Sequence, residues 1–156
     1  MKLYHASNMS VVCPDTEHSR DYLDFGKGFY LTSLREQAEK YAQRFLRRKS
    51  DAWLNSYEFD FNPEEWKILE FDHYDKDWLE FVSQCRAGKD ESDYDLVIGG
   101  IADDKVIQTL DRYFIGELSA DDTLGLLKYE KTNNQYCIRS QKMLNECLKH
   151  INSLQL

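Results

Sequence analysis

Three widely separated pieces of this chain carry side chains suited to holding a flat, amide-bearing ring and a sugar. Leu3-Tyr4-His5-Ala6-Ser7 places an imidazole and a hydroxyl at the end of an apparent strand. Asp24-Phe25-Gly26-Lys27-Gly28-Phe29-Tyr30 puts two glycines just ahead of a tyrosine, and a second tyrosine, Tyr41, follows eleven positions later. Asn133-Asn134-Gln135-Tyr136 opens a late segment with a glutamine. Paired glycines let a backbone turn tightly or come close to a ligand. A phenol on a strand and another on the next helix can face one gap and clasp a planar ring. A strand-end histidine can donate to a sugar hydroxyl, and a glutamine can bond one without taking its proton. Each piece has a plain structural use as well: a satisfied histidine, a tight turn, two core tyrosines, a surface glutamine. The glycine run is neither a phosphate loop nor a dinucleotide fingerprint. It lacks the Lys-Ser/Thr pair of the first and the third glycine of the second.

The elements that must position these residues follow from periodicity. Residues 2–6 read as a strand ending at His5, and 7–27 as a long loop with one turn of helix. A loop of that length inside a compact domain is usually functional. Phe29 to Thr32 reads as a strand, and Ser33 with Glu36 as a capping box for a helix over 34–47. Alternation predicts strands at 53–61, 66–71, 94–101 and 135–139. Asp77 is expected to cap a helix carrying Trp78, Leu79, Phe81 and Val82, and a helix is expected from 102 to Phe114, stopped by Gly116. Ser119 and Ser140 cap two more, the last with Met143, Leu144, Cys147 and Leu148 on one face. Strands and helices do not alternate regularly, which predicts a mixed α+β domain and argues against a doubly wound parallel sheet.

Composition sets the outer limits. At 156 residues the chain is long enough for one domain with an ordinary core. A net charge of −8 disfavours generic nucleic-acid binding. Arg44, Arg47, Arg48 and Lys49 are a local exception that suits the C-terminus of a helix. Cys13, Cys85, Cys137 and Cys147 are scattered with no Cys-x-x-Cys pair, so no metal site is expected, and Cys137 and Cys147 read as core residues. No signal peptide opens the chain and no apolar run is long enough to cross a membrane. A reduced, cytoplasmic protein is the expectation.

Joined together, the three pieces resemble a known pattern. The run from Gly26 through Tyr41 resembles, without a gap, the matching segment of the poly(ADP-ribose) polymerase group: Gly26, Lys27, Gly28, Tyr30 and Tyr41. Leu-Tyr-His-Ala-Ser resembles that group's Leu-x-His-Gly-Ser strand, and Asn-Gln-Tyr-Cys-Ile its Asn-Glu-Tyr strand. The whole chain is also similar to a bacterial family of unknown function in the ADP-ribosyltransferase clan. It shares that family's Asp-Phe-Gly-Lys-Gly-Phe-Tyr run and its Tyr94-Asp95-Leu96-Val97 and Ala102-Asp103-Asp104 segments.

The resemblance implies one α+β domain over 1–156, with split mixed and antiparallel sheets flanked by helices around an NAD cleft. It implies that His5, Tyr30 and Gln135 form the catalytic set. Ala6, through its backbone, would hold the nicotinamide carboxamide, and Ser7 would assist His5 at the ribose. Tyr30 and Tyr41 would stack on the ring, with Asp24, Gly28 and Phe29 lining the same site. Two departures stand out. Ala6 replaces a glycine, and Gln135 replaces the glutamate that would stabilise the oxocarbenium-like transition state. Gln135 keeps the hydrogen bonding and loses the charge, which disfavours chain elongation. Asp103, Asp104 or Asp24 could stand in, although the pair at 103–104 also suits the first turn of a helix. The implied activity is NAD-dependent mono-ADP-ribosyl transfer to a protein or nucleic acid, without a metal. The setting would be a toxin or phage-defence protein with a small antitoxin partner. An NAD-binding module without turnover and an NAD glycohydrolase are the alternatives.

Overall fold

The computed structural model describes residues 1–102, 104–128 and 133–156. The elements run β1 (Lys2–Ser7), β2 (Phe29–Leu31), α1 (Arg35–Arg47), β3 (Trp53–Phe59), β4 (Ile68–Glu70), α2 (Lys76–Arg86), β5 (Leu96–Gly99), α3 (Asp104–Phe114), α4 (Ala120–Leu127), β6 (Gln135–Ile138), α5 (Gln141–Cys147) and β7 (Leu148–Gln155). They build two sheets. One is antiparallel in the order β1-β3-β7; the other has the order β2-β6-β5-β4, with only β4 and β5 parallel. The class is α+β. None of the helices among the described residues is long and apolar enough to cross a membrane.

Alternation along the strands decides what each sheet face buries. Leu3, Tyr57 and Phe59 of the first sheet meet Phe29, Leu31 and Ile138 of the second, and Met143 and Leu144 of α5 close that core. The opposite face of the second sheet, through Val97 and Cys137, packs on Trp78, Leu79, Val106, Leu110 and Leu127 of α2, α3 and α4. Helix α1 lies on the outer face of the first sheet, where Ala42 meets Ala6 and Ala52. Small residues there let the helix approach β1 closely. Cys85, Cys137 and Cys147 are buried, and Cys13 is exposed.

Several expectations are corrected. Ser33 does not cap α1. Leu34 occupies the cap position without a side-chain bond, and Thr32 Oγ1 accepts from the Leu34 N–H at 3.1 Å instead. The Ser33 hydroxyl is taken by Asn134, whose amide donates to it at 2.7 Å. Asp75, not Asp77, caps α2, accepting from Trp78 N–H at 2.8 Å. Residues 7–27 contain no helical turn. The largest correction is at the C-terminus. The last helix stops at Cys147, and Leu148–Gln155 form a strand along the open edge of β3. Its apolar spacing alone suits a helix, but the ladder offered by β3 outweighs local preference. Ser119 and Ser140 cap α4 and α5 as expected, accepting from Asp122 and Met143.

Candidate functional site

Among the described residues, backbone hydrogen bonds join the two sheets at one bridge. Tyr4 and Thr32 exchange backbone hydrogen bonds of 2.8 and 2.9 Å, and β1 and β2 separate beyond that bridge. The His5 ring bridges the two strands there. Its Nδ1 lies 2.7 Å from the Tyr30 carbonyl oxygen, and the ring sits 4.4 Å from the Phe29 ring. A carbonyl can only accept, so Nδ1 carries the hydrogen and Nε2 of the neutral ring is left as an acceptor. Burial lowers the His5 pKa below its ordinary value, opposed in part by the bond to Tyr30. The ring is therefore neutral at neutral pH. Any partner at Nε2 must therefore donate, whereas the sequence alone has this histidine donating.

Backbone alternation does the next part. Because Tyr4 turns its N–H and C=O toward β2, Ala6, two residues on, turns its own the same way. Among the described residues β2 supplies no partner for them. Positive φ outside glycine is confined there to Tyr22 and Lys49, so alanine at position 6 is unstrained.

Helix α1 packs beside this place on the outer face of β1. Gln37, Tyr41 and Arg44 fall at i, i+4 and i+7, hence on one face. Gln37 donates to the Asn134 carbonyl at 2.9 Å, and Arg44 reaches Asp104, the first residue of α3, at 3.2 Å. Tyr41 stands between these two ties along the helix, with the Phe45 ring 5.9 Å away. It is 43% exposed, with the Arg44 guanidinium 5.0 Å from its ring centre. Gln135 opens β6 next to Thr32 and lies on the same sheet face as Tyr30. Its amide nitrogen is 3.5 Å from the Gly100 carbonyl.

The other sequence candidates are placed as follows. Tyr30 packs its ring against the helical layer, and its hydroxyl closes the Gly26 turn, donating to Gly26 O at 2.5 Å and accepting from Phe25 N–H at 3.1 Å. Phe29 is 7% exposed and supports His5 from within the core, so its ring does not line the gap. Gly28 is required by packing. A Cβ there would lie 2.6 Å from Cys137 Sγ and 2.8 Å from the Ile138 carbonyl oxygen. Asp24 is mostly buried, and burial raises its pKa against the pull of Arg86, 3.5 Å away, and the Ala102 N–H. Ser7 is half-buried at the end of β1. Asp103 lies outside the described residues. His5 is thus tied to Tyr30 and Phe29, Gln135 to Gly100, and Asp104 to Arg44 beside Tyr41, and Gln135 lies on the face of the second sheet opposite the Phe29 ring that His5 packs on.

Sequence reasoning missed two organisers. Asn55, fully buried, holds the long loop beside His5: its amide donates to the His5 and Met9 carbonyls, and its Oδ1 accepts from Val11 N–H at 2.9 Å and from Ser153. Its signal was a polar residue inside an alternating apolar strand. Asn134 locks the start of β6 to the end of β2 through Thr32 Oγ1 and Ser33 N–H, at 2.9 and 3.0 Å.

Two cavities lie off the gap. The larger, about 630 Å³, sits at the far end of the second sheet, over Arg139. Among its lining charges, Arg139 is paired with Asp90 and Asp93 with Lys67. The smaller, about 310 Å³, wraps the end where Gln135 lies and includes Gly100, Asn134 and Tyr136.

No curated protein and no solved structure matches this chain. One family model does, over residues 1–150, and its description is "Protein of unknown function (DUF3990)". With nearly the whole length matched, the chain belongs to that family.

Proposed function

We propose that the nicotinamide end of NAD is held where β1 parts from β2, beside α1 and the start of β6, and that the chain is a mono-ADP-ribosyltransferase. The observation that carries this reading is the parting of β1 from β2. It turns an unpaired backbone N–H and C=O of Ala6 toward the gap, and those two groups complement the C=O and NH₂ of a carboxamide. Tyr41 offers an exposed ring face for stacking, and His5 Nε2 offers an acceptor for a ribose hydroxyl. The likeness of the Gly26–Tyr41 run to the poly(ADP-ribose) polymerase group supports the same assignment.

In this reading the nicotinamide–ribose bond breaks with its electron pair leaving on neutral nicotinamide. The developing positive charge on the ribose is met by the Gln135 amide oxygen, which supplies a dipole in place of a full charge. Asp104, close by at the mouth of α3, is the carboxylate available to add charge once Arg44 releases it. The acceptor is a macromolecule, protein or nucleic acid. The setting is a cytoplasmic toxin or phage-defence effector held in check by a small antitoxin.

Mass spectrometry of cell extract incubated with the protein and labelled NAD tests the reading directly. Label on a macromolecule is the expected result. The Tyr41→Ala variant, altered at an exposed position, is expected to bind NAD about tenfold more weakly. A folded variant with unchanged affinity would remove the pocket assigned here. The uncharged Gln135 favours a second reading, an NAD sensor that binds without turnover. Binding with neither label transfer nor free ADP-ribose selects it, and free ADP-ribose alone selects a glycohydrolase.

A further inference from the structure

We propose that the open edge of β7 is a docking surface, and that it takes an extended, acidic segment of a partner protein as an added strand. The edge itself is the first observation. β7 is the last strand of its sheet, with β3 on one side and no strand on the other among the described residues. The Leu156 N–H donates to the Ala52 carbonyl at 2.9 Å, so Leu156 and Leu154 turn their backbone groups toward β3. Ser153 and Gln155, which alternate with them, each turn an N–H and a C=O outward. Such an edge is ordinarily blunted by lysine, proline or a bulge. Here the bulge falls near Ile151, opposite the Ser56–Tyr57 step, and leaves Asn152 to Gln155 in regular register. From Ile151 to Leu156 there is no charged residue and no proline.

Side chains decide what the edge selects. Leu154 lies opposite Leu54, on the face of the sheet where Ala52 meets α1. Leu154 and Leu156 are 47% and 40% exposed, and Leu46 in the last turn of α1 is exposed as well. Arg47, Arg48 and Lys49 follow directly, all exposed and none ion-paired among the described residues. The chain holds them near the end of β7: Ala52 comes three residues after Lys49, and Asp51 Oδ1 accepts from the Gln155 amide at 3.3 Å. Asp51 balances at most one of the three cations. On a chain of net charge −8, this local positive excess selects an acidic partner. An added strand would pair its backbone with Ser153 and Gln155, lay alternate apolar side chains along Leu154 and Leu156, and set its carboxylates beside the cations.

Other occupants fit less well. A second copy paired edge to edge offers β7, whose one charged residue is Lys149, and so no carboxylate for the cations. A lipid surface would leave the outward N–H and C=O of Ser153 and Gln155 without partners. A nucleic acid would use the cations and leave the leucines and the strand edge idle. β3 separates this surface from β1, so its occupant is independent of what β1 holds.

The probe is a short synthetic peptide in which glutamate alternates with valine. Its addition is expected to slow amide exchange at Ser153 and Gln155, read by NMR, and its affinity is read by fluorescence anisotropy. The double variant Arg47→Ala with Arg48→Ala, altered at exposed positions, is expected to bind it about tenfold more weakly. A peptide with lysine in place of glutamate is expected not to bind. Neither is one whose two central amides are N-methylated, since neither of its edges can pair. Unchanged exchange at Ser153 and Gln155 with peptide in excess, equal binding of either control peptide, or an affinity that ignores the double variant would each overturn the proposal. So would protection of the same two amides by dimerisation of the protein alone, by anionic lipid vesicles or by an oligonucleotide, which would name a different occupant.

Discussion

His5 shows how much one hydrogen bond decides. The Tyr30 carbonyl fixes the tautomer, burial keeps the ring neutral, and together they convert a presumed donor into an acceptor. The stability consequence has a definite sign. The folded pKa lies below the unfolded value of about 6.5. The neutral ring's contribution is therefore complete above pH 6.5 or so, and it is lost as pH falls through the lower folded value. An NMR titration of the His5 ring is expected to give an apparent pKa below that of a free histidine. A midpoint at or above it would contradict the wedge between β1 and β2. The sequence singled out His5 and could not show which way its hydrogen bond runs, because the deciding atom is a backbone oxygen 25 residues away. Asn55 was hidden for a similar reason. Its partners at His5, Met9, Val11 and Ser153 are adjacent only after the sheet forms.

Among the elements, those with strong local signals formed where periodicity put them. Helix α1 and the caps at Ser119 and Ser140 are examples, because amphipathic spacing and a hydroxyl at the cap position are local physics. Strand β7 was illegible, since its stability comes from a partner strand about ninety residues earlier. The start of α1 was misread because Asn134 takes the Ser33 hydroxyl. Two glycines separate packing from propensity. Gly28→Ala drives a Cβ into the Ile138 backbone, and a loss of about 2 kcal/mol or more is expected. Gly125, inside α4, has nothing within 4 Å of an added Cβ, so Gly125→Ala is expected to stabilise by roughly 0.5–1 kcal/mol. Urea midpoints of the two variants, moving in opposite directions, check both. A tolerated Gly28→Ala would mean β2 and β6 are not packed this closely.

For the molecule as a whole, the second sheet is the scaffold, with a core on each face. Its far end is secured by the Arg139–Asp90 pair, 2.7 Å apart, with both side chains less than 15% exposed. Burial pushes the Asp90 carboxyl up, yet hydrogen bonds from Ser92 and Arg139 outweigh it and hold the carboxyl below the usual range. That pair's contribution is present above the ordinary aspartate value of about 3.9 and lost as pH falls through the lower folded one. Arg139→Ala leaves a carboxylate buried without its partner and is expected to cost about 3–5 kcal/mol, read as a shift in thermal or urea midpoint. A change below 1 kcal/mol would show the pair to be surface-like.

The loop that Asn55 draws in beside His5 also carries Cys13, whose sulfur is exposed while Cys85, Cys137 and Cys147 are sealed in cores. Burial drives the Cys85 and Cys137 thiols up to about 12, so neither competes for an alkylating dye at neutral pH. A maleimide fluorophore will therefore decorate the unmodified protein at a single place. There it becomes an optical reporter of the loop that Asn55 holds in place.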